Sequence, residues 1–156
     1  GGSDGPIIVW KDSRSIAGRA PNFMATKRTL GGATPPGWAH AGGWVGPAGD
    51  ARWAATADGA GGFYLAGATG DATVQLLRVT SSFGLAPGWP LGGVVIGVVN
   101  GLDSLRLIRD ASGVYVAWSR PNVGGHDVYL SRVDGSGAVP SPWDRWSGFS
   151  LRATAR

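Results

Sequence analysis

Three markers recur in the same order along this chain, and that repetition limits its fold more than any other feature. A Gly opening a short apolar run occurs at Gly5 to Trp10, Gly62 to Gly67 and Gly113 to Trp118, with the leading Gly residues 57 and 51 positions apart. Each run is followed by a second that ends in Arg, at Arg28, Arg78 and Arg132. Each then meets a Trp preceded by Gly or Pro, at Trp38, Trp89 and Trp143, with Gly close behind. A period near fifty residues is the length of one supersecondary unit that cannot bury its apolar surface alone, so neighbouring units must stack. The repeats read as approximately 1–50, 51–101 and 102–151 within a single domain.

Composition selects strands for these units. Glu is absent and only two Lys occur, so the exposed helix formers that line most amphipathic helices are missing. Gly at 28 and Pro at 10 would suggest disorder, but 8 Trp and 43% hydrophobic residues demand a packed core. The combination is punctuated β structure, with Gly and Pro at turns and aromatics inside.

Each unit reads as a four-stranded antiparallel meander. In the third, Leu105 to Arg109 is a first strand and Asp110 to Gly113 a turn. Val114 to Trp118 and Asp127 to Val133 follow as strands, Asp134 to Gly137 is a tight hairpin signal, and Trp143 to Leu151 carries the last strand. The second repeats this as Trp53 to Ala57, Asp58 to Gly62, Phe63 to Gly67, Val74 to Val79 and Leu85 onward. The first begins at its turn, with no first strand ahead of it. Leu151 to Arg156 aligns with Leu105 to Arg109, so residues 151–156 are expected to complete the N-terminal unit. Gly1 in place of Met reads as a processed product or a piece of a larger repeat protein.

The turn Asp58-Gly59-Ala60-Gly61-Gly62, and Asp110 to Gly113 with the strand Val114 to Trp118, resemble the β-propeller superfamily. The likeness is to bacterial exported propellers whose blades carry a D-G-x-G-G turn before an apolar strand ending in Trp. The resemblance covers essentially the whole chain and implies an all-β fold of three blades, one of them completed by the C-terminal strand in a velcro closure. It also implies an extracellular or cell-surface setting for the parent family. Propellers have four to eight blades, and three cannot close a ring. The chain is therefore expected to assemble with itself, as a six-bladed homodimer ahead of a nine-bladed homotrimer.

The chemistry-bearing residues point away from catalysis. The net charge of +4 comes almost wholly from dispersed Arg, without the like-charge run of a nucleic-acid-binding tail, so no specific nucleic acid is expected. The absence of Cys excludes disulfides, thiol catalysis and thiolate metal sites. The longest apolar stretch, Val94 to Val99, is broken by Gly97 and is too short to cross a membrane as a helix. His126-Asp127 is the one adjacent His and acid, but no nucleophile is placed beside it. Most Asp precede Gly, as turns require, and two His without Cys do not supply a zinc set. Asp134, Gly137 and Trp143 faintly resemble the Asp-box of sialidase-like propellers, with different spacing and no Thr before the Trp.

No enzyme, metal or cofactor is expected. The first reading is a self-assembling scaffold or interaction module. The second is a lectin with pockets between blades, and a glycoside hydrolase stands third. Trp44, Trp53 and Trp146 fall outside the strict repeat and are the candidates to stack on a glycan. Arg106 and Arg152, placed on first strands that line a channel, are the candidates to hold a small anion.

Overall fold

Alternation of apolar and polar residues, interrupted by Asp-Gly and Gly-Gly turns, produces strands throughout. The computed structural model describes residues 5–14, 21–47, 52–69, 73–98, 101–123, 125–143 and 149–152, and they contain eleven strands and no helix. The N-terminal sheet has three strands in the order β1 (Ile7–Asp12), β2 (Asn22–Lys27) and β3 (Gly43–Pro47). The middle sheet runs β4 (Trp53–Ala57), β5 (Phe63–Thr69), β6 (Thr73–Val79) and β7 (Val94–Val98). The C-terminal sheet runs β8 (Ser104–Arg109), β9 (Gly113–Asn122), β10 (Gly125–Asp134) and β11 (Phe149–Arg152). All neighbours are antiparallel and consecutive, so each sheet is a meander.

The three sheets repeat one another in detail. The leading Gly of each unit meets the opposite backbone so closely that a Cβ on Gly5, Gly62 or Gly113 would lie 2.2, 2.1 or 2.2 Å from the carbonyl oxygen of Arg28, Val79 or Val133. No side chain fits there, which is why the marker is Gly. The contact also sets the structural equivalence: Lys27, Arg78 and Arg132 correspond, and Arg28 lies one residue further on. Counting to the last residue of the run matches Arg28 with Arg78 and Arg132. Pairing across the strands shifts that alignment by one. The same β-bulge falls between Phe23 and Met24 and between Val74 and Gln75, four and three residues before Lys27 and Arg78.

The loops after the third strands repeat too. Thr29, Thr80 and Asp134 each donate their backbone N–H to the carbonyl four residues on, at 2.8, 2.8 and 2.9 Å. Their side-chain oxygens accept the returning N–H of Ala33, Gly84 and Ala138. Three residues into each loop the backbone turns left-handed. Gly32 (φ 85°) and Gly137 (φ 89°) do this without strain, but the middle loop uses Phe83 at φ 63°. Phe83 holds that conformation because its ring lies 4.9 Å from Trp38 and against Gly43, where a Cβ would be 2.2 Å away.

The core lies between the sheets. Phe23, Ala25 and Trp38 of the first unit pack on Phe63, Leu65 and Val79, with Ile7 and Val9 beside them. On its other side the middle sheet packs Tyr64, Ala66, Val74 and Leu76 against Leu105, Val114, Val116, Trp118 and Val133. Covered on both faces, β5 is apolar from Phe63 to Ala68, whereas β6 mixes Val74, Leu76, Leu77 and Val79 with Gln75 and Arg78. Gly97 lets the Trp118 ring close on β7, since a Cβ there would stand 2.5 Å from the indole.

The C-terminal strand differs from its sequence expectation. Leu151 and Arg152 pair with Val128 and Asp127, which makes them the outer strand of the C-terminal sheet. The Trp marker explains it: β3 and β7 begin five residues after Trp38 and Trp89, and β11 begins six after Trp143. Residues 153–156 lie outside the described residues. Among the described residues, β1 has β2 as its one strand partner.

Candidate functional site

Each loop carrying a Trp is closed by the same turn, with Trp38, Trp89 and Trp143 donating their backbone N–H to Pro35, Ala86 and Pro140. That turn aims the indole at the next sheet. Trp38 Nε1 donates to the Ser81 carbonyl at 2.7 Å, and Trp89 Nε1 donates to the Gly135 carbonyl at 3.1 Å. Ser81 and Gly135 are the residues just after Thr80 and Asp134, so both inter-sheet staples use one geometry.

Around each staple the side chains stack in a fixed order. Trp89 lies 5.9 Å from Tyr64, the Arg78 guanidinium sits 5.5 Å above that Tyr, and Arg78 pairs with Asp58 at 3.0 Å. Trp143, Tyr115, Arg132 and Asp110 repeat the stack at 5.6, 5.7 and 3.1 Å. Burial raises the Tyr64 phenol above its ordinary pKa. Asp110 is held below the usual carboxylate range, first by the Ser112 backbone N–H and then by Arg132. Asp134 is lowered as well, mainly by the Ser136 hydroxyl. Of the recurring basic residues, Arg78 reaches the next sheet, donating to the Gly135 carbonyl at 2.9 Å. Arg132 stays in its own turn, on Asp110 and Ser112. Arg28 ties its own loop through Thr26, Thr34 and the His40 carbonyl. Lys27, standing in the Arg78 position, bridges to the Gly61 carbonyl at 2.9 Å.

Two sheet faces remain on the outside. Residues directly opposite in antiparallel strands share a face. On the N-terminal sheet, the face turned away from the middle sheet therefore carries Ile8, Trp10, Met24 and Trp44. On the C-terminal sheet it carries Arg106, Ile108, Tyr115, Ala117, Val128 and Leu130. Of the large hydrophobic side chains exposed on strands among the described residues, Ile8 (50%), Trp44 (38%), Ile108 (65%) and Val128 (38%) lie on these two faces and Val98 lies elsewhere. A grooved surface also runs between the first two sheets. A cavity of about 160 Å³ is lined by Trp44, Val45, Val79, Phe83, Leu85 and Leu91, and one of about 140 Å³ by Ile7, Val9, Ala55, Thr56, Ala57 and Phe63.

Among the described residues, those singled out in sequence are not brought together. Trp44 borders a groove, and its indole N–H is taken by the Asn22 amide oxygen at 2.9 Å. Trp53 packs edge-on against Phe23 at 5.5 Å and lies, half-buried, against the core. Trp146 lies outside the described residues. Arg106 is exposed on β8, a first strand, and donates to the Leu105 carbonyl. Arg152 lies on β11, a fourth strand, so it does not share a position with Arg106. His126 turns to Asp103, with Nε2 3.5 Å from Oδ2. The buried Asp127 carboxylate accepts from Asn122 and the Tyr129 hydroxyl instead. The two neighbours therefore do not act on each other. Among the described residues no three His, Cys, Asp or Glu side chains are grouped to hold a metal.

Sequence reading missed Ile8, Ile108 and Val128, each an isolated apolar residue. The available signal was alternation: in Leu105-Arg106-Leu107-Ile108, Leu105 and Leu107 fill one face, which leaves Ile108 on the other. The chain matches no family model, no curated protein and no solved structure.

Proposed function

We propose that this chain is a non-enzymatic β-propeller scaffold whose three sheets are blades, and that it assembles with itself into a closed ring. The observation carrying the reading is the placement of Ile8, Trp44, Ile108 and Val128 on the two outermost faces. These faces are the counterparts of the pair already packed twice inside the chain. The outer face of the C-terminal sheet corresponds to the side of the middle sheet that covers Val114 and Val116, and the outer face of the N-terminal sheet to the side it covers. Such a contact is head-to-tail, so it propagates until rotation closes a ring. Two chains give six blades, an ordinary number; three give nine.

Exposed apolar faces are the feature that ring closure removes. A glycan site draws less support: the groove beside Trp44 is apolar, and a sugar needs polar partners around the aromatic platform. Light scattering after size exclusion tests the proposal. A dimer mass, with a trimer as the other ring, is expected. A mass of one chain across the accessible concentration range refutes it, and Ile108→Arg should shift the assembly to single chains.

A further inference from the structure

We infer that the edge of β1 on which no described strand lies is a strand-acceptor site, which takes an extended segment of a partner polypeptide as a fourth, antiparallel strand of the N-terminal sheet. In the middle and C-terminal sheets the corresponding edge is occupied. Tyr64 and Ala66 pair with Thr56 and Ala54 of β4, and Tyr115 and Ala117 with Ile108 and Arg106 of β8. The Gly contacts that align the units make Ile7 and Val9 the equivalents of Tyr64 and Ala66.

The backbone of β1 is oriented for such pairing. Arg28 donates to the Pro6 carbonyl at 3.1 Å, so the residues whose N–H and C=O face β2 are Ile8, Trp10 and Asp12. Alternation directs those of Ile7 and Val9 to the opposite edge. No described strand lies on that edge.

The space beside the edge has the shape of a missing strand. The cavity of about 140 Å³ is walled by Ile7 and Val9 on one side and by Ala55, Thr56, Ala57 and Phe63 on the other. It occupies the place between β1 and β4 that the first strand of the N-terminal sheet would fill, as β8 lies against β4 in the next interface. The occupant is specified by the same comparison. Side chains opposite Ile7 and Val9 point into the cavity, and their counterparts on β4 are Thr56 and Ala54. A segment of about five residues with small side chains at those two alternate positions fits. Main-chain bonds supply affinity and the cavity supplies selectivity.

The test titrates the protein with a capped synthetic peptide copying Arg52 to Asp58 and with a scrambled peptide of the same composition, following amide exchange at Ile7 and Val9. The expected result is saturable binding of the first peptide alone, with both amides protected. Val9→Pro removes a donor from this edge of β1 while leaving the β2 ladder intact, and should weaken binding at least about tenfold. If that protein fails to fold, Ala55→Asp decides, because Ala55 is exposed and its carboxylate would intrude on the cavity. Equal binding of both peptides, no saturation, or binding that survives Ala55→Asp overturns the inference. It stands apart from ring formation: an Ile108→Arg protein, altered on a different sheet, should bind the peptide unchanged.

Discussion

Replacing Trp89 with Ala tests whether the staple between the middle and C-terminal sheets is a principal source of stability. The side chain is 5% exposed, packs on Tyr64 and donates to Gly135. Loss of a large core aromatic costs about 3–5 kcal/mol. The hydrogen-bond share of that cost is limited, because the Gly135 carbonyl keeps the Arg78 guanidinium and is not left bare. For a domain of this size, each kcal/mol lowers the midpoint by about 2–4 °C, so the melt should fall by about 6–20 °C. Thermal and urea unfolding of the variant, followed by Trp fluorescence and circular dichroism, give the number. Trp89→Phe should recover only part of the loss, since it keeps a six-membered ring beside Tyr64 but lacks the second ring of the indole and its N–H. A Trp89→Ala loss below about 1 kcal/mol would refute the staple argument, because that is the range of a surface substitution.

Asp58→Ala should cost about 2–3 kcal/mol in urea unfolding, since it strands the N–H groups of Ala60 and Gly62 and the Arg78 guanidinium together. Phe83→Gly relieves a left-handed backbone worth about 1 kcal/mol but removes a ring packed on Trp38, so a net loss of about 1–3 kcal/mol is expected. A variant more stable than the parent would show that strain outweighs packing there. Acid should destabilise the protein in a defined window. Asp110 and Asp134 are lowered, and Asp12 is lowered to about 2, chiefly by the Arg14 side chain. A depressed carboxylate contributes stability that is present above its unfolded value and is lost as pH falls through the folded one. The midpoint should therefore hold near neutrality and drop between about pH 4 and 2, a flat profile there being the contrary result.

What the sequence by itself determined is the local chemistry of the repeat. Gly62 and Gly113, the Asp58 and Asp110 turns, and the Trp at the end of each unit mark the meanders because each satisfies a backbone demand within its own segment: a close approach, an Asx turn, a loop closure. The three-sheet, all-β organisation was legible for that reason. Alignments that depend on pairing across strands were not. Lys27, not Arg28, stands in the position of Arg78 and Arg132, since register is set by which carbonyl faces Gly5, and a one-residue slip leaves the composition of the run unchanged. Leu151 and Arg152 resemble a first strand in isolation, yet β10 takes them as its outer partner. Only the tertiary structure decided which apolar residues are core and which are surface. Leu107 and Ile108 are neighbours of the same chemistry that alternation sends to opposite faces, and the packing of the middle sheet against Leu105 and Val116 is what makes the face of Leu107 the covered one. Trp53 and Trp44, similar as sequence candidates, part in the same way, one packed on Phe23 and the other on an outer face. Burial depends on what the neighbouring sheet brings to each face, and that partner lies some fifty residues away in the chain.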